Sequence, residues 1–161
     1  MKTSISVVVN DEQHDLTVDQ RLTLVYLLRE SLGLTGTHVG CTTGNCGACT
    51  VVLDGATVKA CSIFAADVDG SRVLTIEGLS RTARDLHPVQ RAFVEHQGLQ
   101  CGFCTPGMVL SALQLLERNP EPSEDEIRHA ISGNLCRCTG YQLIVESIAA
   151  ASKRLPATAA V

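Results

Sequence analysis

Apolar and polar positions alternate at the start of the chain. Ile5, Val7 and Val9 project to one side, Asn10-Asp11 supplies a turn, and Leu16 and Val18 resume the alternation, so a period of two predicts a hairpin. The period then lengthens: Leu24, Leu27, Leu28 and Leu32 fall at i, i+3, i+4 and i+8, with Gly33 where a helix C-cap belongs, which predicts a short amphipathic helix. Residues 51–53, the turn pair Asp54-Gly55 and residues 57–59 predict a second hairpin, and residues 72–76 a later strand.

After Gly78 the strand signal stops and a polar stretch, Ser80-Arg81-Thr82-Ala83-Arg84-Asp85, intervenes. Four helical patterns follow. Val89, Ala92, Phe93 and His96 share one face, and Gly98 ends it. Thr105 reads as an N-cap before Pro106, opening a stripe of Met108, Val109, Ala112, Leu113 and Leu116. Ser123 with Glu126 forms a capping box ahead of Ile127, Ala130 and Ile131; Thr139 with Gln142 reads as another, ahead of Ile144, Val145, Ile148 and Ala149. The expected class is α+β: an α+β domain over residues 1–78, a linker at 79–85, an all-α four-helix domain over 86–154 and a frayed tail at 155–161.

The 161 residues are 45% hydrophobic and 19% charged, which suits a folded chain, yet aromatics are only 3%. Two small cores with so few large side chains need another staple, and eight cysteines are at hand. The net charge of −4 and the lack of any Lys/Arg run argue against nucleic acid as a partner. The apolar stretch at 5–9 is broken by Ser6 and is too short for a signal-peptide core. The uncharged stretch at 97–116 is interrupted by Gln97, Gln100, Thr105, Pro106 and Gln114, so no membrane span is expected and a cytoplasmic location is.

The cysteines divide at the same boundary. Cys41, Cys46, Cys49 and Cys61 are spaced C-x4-C-x2-C-x11-C, the plant-type ferredoxin arrangement for a 2Fe-2S cluster. Gly40, Gly44 and Gly47 lie in that loop, as a backbone wrapped around thiolate and sulfide charge requires. Cys101 and Cys104, then Cys136 and Cys138, each precede a predicted helix start, where the helix dipole favours thiolate. Two tetrathiolate sites result. Disulfides, for which eight cysteines allow 105 pairings, lack an export signal, and structural zinc prefers matched knuckles; a double zinc-binding interaction module and a free-standing two-cluster carrier remain the alternatives. Residues 31–53 and 97–116 contain no Asp, Glu, Lys or Arg, and 130–145 contain only Arg137. Such bare loops suit either burial against partner subunits or the neighbourhood of a cluster within one chain. His14, His38, His87, His96 and His129 have no ligand role, since four cysteines already complete each site.

Three segments carry a family resemblance: Gly40-Cys41 through Asn45-Cys46-Gly47-Ala48-Cys49-Thr50-Val51, Gln100-Cys101-Gly102-Phe103-Cys104-Thr105-Pro106-Gly107, and Gly133-Asn134-Leu135-Cys136-Arg137-Cys138-Thr139-Gly140-Tyr141. With the first hairpin and Thr75-Ile76-Glu77-Gly78, the chain resembles the small iron-sulfur subunit of the xanthine oxidase family of molybdenum hydroxylases over nearly its whole length up to about residue 153. The resemblance implies a plant-type ferredoxin-like (β-grasp) domain followed by the four-helix domain, each with one 2Fe-2S cluster. It implies that Cys101, Cys104, Cys136 and Cys138 ligate the cluster proximal to molybdenum, and Cys41, Cys46, Cys49 and Cys61 the distal one. It further implies that Gln100 hydrogen-bonds the molybdopterin cofactor of the partner and that Cys138 lies against the pterin. The expected function is electron transfer without catalysis: electrons pass one at a time from the molybdenum cofactor of a large subunit to FAD in a medium subunit or to another acceptor, in a dimer of heterotrimers. Thr42 stands where carbon monoxide relatives carry an acidic residue, which favours an organic substrate.

Overall fold

The computed structural model describes residues 1–80, 82 and 84–155. Arg81 and Ala83 of the expected linker, and residues 156–161 of the expected tail, lie outside them. Strands β1 (Lys2–Val9) and β2 (Glu12–Asp19) form the first hairpin, β3 (Thr50–Leu53) and β4 (Ala56–Lys59) the second, and β5 (Arg72–Leu74) joins them into one five-stranded mixed sheet. The order is β2-β1-β5-β3-β4, with β5 parallel to β1 and antiparallel to β3. Both hairpins turn through left-handed residues, Asn10 and Asp11 in one and Asp54 and Gly55 in the other, the backbone that matches strand twist. Helix α1 (Leu24–Tyr26) continues as one π-helical turn to Ser31 and buries Leu24, Leu27 and Leu28 against the sheet.

The second half is helical: α2 (Ile76–Leu79), α3 (Pro88–Glu95), α4 (Thr105–Arg118), α5 (Glu124–Ala130) and α6 (Gln142–Ser152). Phe93, Met108, Ile127, Ile144 and Ile148 form its core, each full burial favouring the fold by about 1.5–3 kcal/mol. Ile76 and Leu79 also pack on this core.

Three expected element boundaries are corrected. Ile76 opens α2 rather than ending a strand. The N-cap of α4 is Cys104, with Thr105 inside the helix, where its hydroxyl is buried without a partner. The Thr139/Gln142 box does not form: α6 starts after Tyr141, whose φ is 71°, and the Thr139 hydroxyl accepts from the Tyr141 amide instead. The Ser123/Glu126 box is present as expected.

Helix α4 lies across β3 and β4 and binds the two halves together. Buried Gln114 accepts from the Thr57 amide and hydroxyl at 3.0 and 2.7 Å and donates to Gly55 O at 2.7 Å. These bonds hold the second hairpin, and with it the strand that follows Cys49, against the helix that follows Cys104.

Candidate metal centres

In the first cysteine loop Thr42, Gly44 and Gly47 take positive φ values of 84°, 75° and 73°. Left-handed steps turn successive amides inward, and those of Thr43 and Cys46 donate to Cys41 Sγ at 3.4 and 3.5 Å. The Cys46 amide, then that of Thr43, holds the Cys41 thiol at about 6, well below its usual range. Cys49 is buried beside Cys61, and burial pushes it up to about 11.

The second set repeats this division. At Gly102 a φ of 81° lets the Phe103 amide reach Cys101 and lower its thiol. Cys138 Sγ lies 3.4 Å from Cys101 Sγ, and sharing a proton with Cys101 raises it. Burial pushes Cys104 up to about 12. At Cys136 burial also acts upward, but the Thr139 hydroxyl at 3.2 Å and backbone donors prevail and the thiol is lowered. The Cys136 amide donates to Tyr141 Oη at 2.8 Å, so the left-handed residue before α6 steadies this loop.

In each set, then, hydrogen bonds to sulfur lower one thiol while burial raises another, whose thiolate a bound cation would compensate. All eight cysteines are free, and six of them approach in three pairs, Cys49 with Cys61, Cys101 with Cys138 and Cys104 with Cys136, while Cys41 takes its bonds from the Thr43 and Cys46 amides. Among the described residues no three His, Cys, Asp or Glu side chains converge on one ion; thiols gathered two by two suit paired irons that each take two cysteines. The unpartnered Thr105 hydroxyl beside Cys104 is a donor of the kind that sulfide or thiolate charge accepts. The donor sets fit 2Fe-2S clusters.

The two sites adjoin. The Leu135 amide donates to Cys46 O at 2.8 Å, linking a cysteine of the first set to the neighbour of Cys136. A cavity of about 200 Å³ is lined by Cys46, Cys101, Cys104, Cys136 and Cys138. Asn134, buried, donates to Gly47 O at 3.0 Å and Thr50 Oγ1 at 3.3 Å and accepts from Ser111 Oγ at 3.1 Å. His38, given no role by the cysteine arithmetic, stacks on Phe103 with ring centroids 4.8 Å apart, and its Nδ1 lies 2.8 Å from Phe103 O. A carbonyl only accepts, so Nδ1 carries the proton. Gln100 is exposed beside Cys101, and Cys138 is exposed as well. No spacing signal announces Asn134, Gln114 or His38; each bonds a partner at least 57 residues away, Gly47 for Asn134, Thr57 for Gln114 and Phe103 for His38.

Residues 7–75 match the family profile described as a 2Fe-2S iron-sulfur cluster binding domain, and residues 75–149 that of a [2Fe-2S] binding domain. The chain is 50% identical over 147 residues to the nicotine 6-hydroxylase small subunit of Paenarthrobacter nicotinovorans, covering 91% of this chain and 88% of that one. It belongs to the small iron-sulfur subunits of the xanthine oxidase family of molybdenum hydroxylases. The small subunit superposes on the quinoline 2-oxidoreductase of Pseudomonas putida 86 with a TM-score of 0.90, at 44% identity and 94% coverage of each chain. It is 46% identical to the aldehyde oxidoreductase of Megalodesulfovibrio gigas, over 88% of this chain but only 16% of that much larger protein. This small subunit is thus a non-catalytic, electron-transferring part of a molybdenum-dependent oxidoreductase and carries two 2Fe-2S clusters. The zinc module is set aside by both profile matches. Among the described residues no helix is long and apolar enough to cross a membrane.

Proposed function

We propose that Cys41, Cys46, Cys49 and Cys61 hold the distal cluster and Cys101, Cys104, Cys136 and Cys138 the cluster proximal to molybdenum, in a ferredoxin-like β-grasp domain over residues 1–78 and a four-helix domain over 86–154, joined by the linker at 79–85. The observation that carries this reading is the placement of two complete cysteine sets in loops that touch through Cys46 O and the Leu135 amide. Each cluster, when bound, takes up and releases one electron at a time. The chain's own residues supply thiolates, aim the amides of Thr43, Cys46 and Phe103 at sulfur, and keep both loops in register through Asn134 and Gln114.

The exposed rim of Gln100, Cys101 and Cys138 is the face we assign to a large molybdopterin subunit, Gln100 bonding the cofactor and Cys138 lying against the pterin. Phe103 and Leu135, exposed at 46% and 63%, border the same rim and give it apolar area to bury. The loop around Cys41, with Thr42 and Thr43 exposed, is the part we assign to the electron acceptor, FAD in a medium subunit or another acceptor, in a cytoplasmic dimer of heterotrimers.

Metal analysis of the purified complex tests the ligand assignment. Four iron and four acid-labile sulfide per small subunit are expected from two 2Fe-2S sites, falling to two of each in Cys49→Ser and in Cys104→Ser. Stoichiometric zinc, or iron content indifferent to both substitutions, would overturn it.

A further inference from the structure

The β3–β4 register sets Lys59 opposite Thr50. It thereby places an ammonium between the residue that follows Cys49 and the turn that carries Cys61. Lys59 Nζ donates to Thr50 Oγ1 at 3.0 Å, and that hydroxyl donates onward to Gly47 O at 2.7 Å, inside the loop between Cys46 and Cys49. From the helical half, Asn134 Nδ2 reaches the same hydroxyl at 3.3 Å, and Gly133 leaves room for the Lys59 head: a Cβ there would sit 3.3 Å from Nζ.

Among the described residues no carboxylate lies within ion-pair distance of Lys59. A half-buried ammonium without an acidic partner is unfavourable unless other negative charge faces it. The first cysteine set is that charge by position: Lys59 stands two residues before Cys61, and its partner Thr50 follows Cys49 directly.

We propose that Lys59 is a tuning residue whose fixed positive charge raises the reduction potential of the cluster held by Cys41, Cys46, Cys49 and Cys61, making that site the better electron sink. This rests on the ligand assignment above. Reduction adds one negative charge to the site and breaks no bond, so a cation nearby favours the reduced form. Unit charges about 10 Å apart in a medium of effective permittivity near 20 change such an equilibrium by roughly tenfold, which for a one-electron couple is 59 mV. A purely structural pin would predict lost stability without a directed change of potential.

The test is a dithionite titration of the assembled complex, followed by electron paramagnetic resonance, on wild type, Lys59→Met, Lys59→Gln and Lys59→Arg. The signal lost in Cys49→Ser identifies the ferredoxin-domain cluster. Loss of one signal in Cys49→Ser and of the other in Cys104→Ser upholds the ligand assignment before any Lys59 variant is compared; both signals surviving these substitutions would refute that assignment and the proposal with it. We expect the ferredoxin-domain midpoint to fall by about tenfold in equilibrium constant in Lys59→Met and Lys59→Gln, with the other cluster moving less and Lys59→Arg close to wild type. An unchanged midpoint in both uncharged variants at full iron content, or equal shifts of both clusters, would overturn the role of Lys59. Should Lys59→Met fail to assemble, Lys59→Gln alone decides.

Discussion

Replacing Gly107 by alanine should destabilise the protein, although the same change in a helix ordinarily stabilises by about 0.5–1 kcal/mol. Gly107 is buried in the first turn of α4. A Cβ there would lie 2.5 Å from Gly47 O, 2.8 Å from Asn134 Nδ2 and 3.4 Å from Thr50 Cβ. The first distance is about 1 Å short of ordinary contact, and its partner is backbone in the loop between Cys46 and Cys49, which cannot swing aside as a side chain would. Overpacking of this kind costs about 1–3 kcal/mol. Displacing Gly47 O also breaks its bond from Asn134, adding about 1 kcal/mol, against a helix gain of about 1 kcal/mol. The balance is a loss of about 1–3 kcal/mol, or roughly 2–10 °C in Tm for a chain of this size. Thermal unfolding of the cluster-loaded complex, read by far-ultraviolet circular dichroism and visible absorbance together, measures it. Gly133→Ala serves as the comparison, because its Cβ would meet only the flexible end of Lys59, and its loss should be smaller. A Gly107→Ala protein as stable as wild type, or more so, would refute the close-approach argument.

Further outcomes follow from the same contacts. With both variants shown to assemble, anaerobic substrate should still reduce the helical-domain cluster in Cys49→Ala while turnover with the acceptor collapses. In Cys104→Ala the ferredoxin-domain cluster should stay oxidised with substrate yet be reducible by dithionite; its normal reduction by substrate would reverse the proposed order. His87 caps α3 by accepting from the Val89 amide through Nδ1, and burial lowers its pKa below 6.5. Its neutral form is the folded one, so the unfolded state binds the extra proton and stability falls as pH drops through 6.5 toward the lowered folded value. In urea titrations at pH 7.5 and 5.5 the acid-induced loss should shrink in His87→Asn, which keeps a cap acceptor that does not titrate; an equal loss in both proteins would dismiss the cap. Substituting Gln114 by Leu should cost about 1–3 kcal/mol in the same titrations by leaving Gly55 O and the Thr57 donors unpaired, and no loss would show that these bonds do not couple the halves.

The chemistry of this chain was legible because it is local in sequence. Three cysteines within nine positions, with glycines among them, can wrap one cluster whatever the rest of the chain does, and the change from a period of two to one of 3.6 after Gly78 marks a change of secondary structure. The hairpin turns at Asn10-Asp11 and Asp54-Gly55 were equally plain, since few residues accept left-handed backbone. Helix starts were less so. Thr105 and Thr139 have the composition of N-caps, but the hydroxyl of one is buried beside Cys104 and that of the other is taken by the Tyr141 amide, and only the folded loops decide which neighbour a hydroxyl meets. What tertiary structure alone decided is how the two sites come together. Gly107 and Gly47 are small because backbones approach there, Asn134 reaches a carbonyl 87 residues away, and Lys59 faces Thr50 through strand register. Glycine, asparagine and lysine carry no periodic or spacing signature for contacts between distant segments, because such contacts depend on how two finished cores pack rather than on what either segment prefers alone.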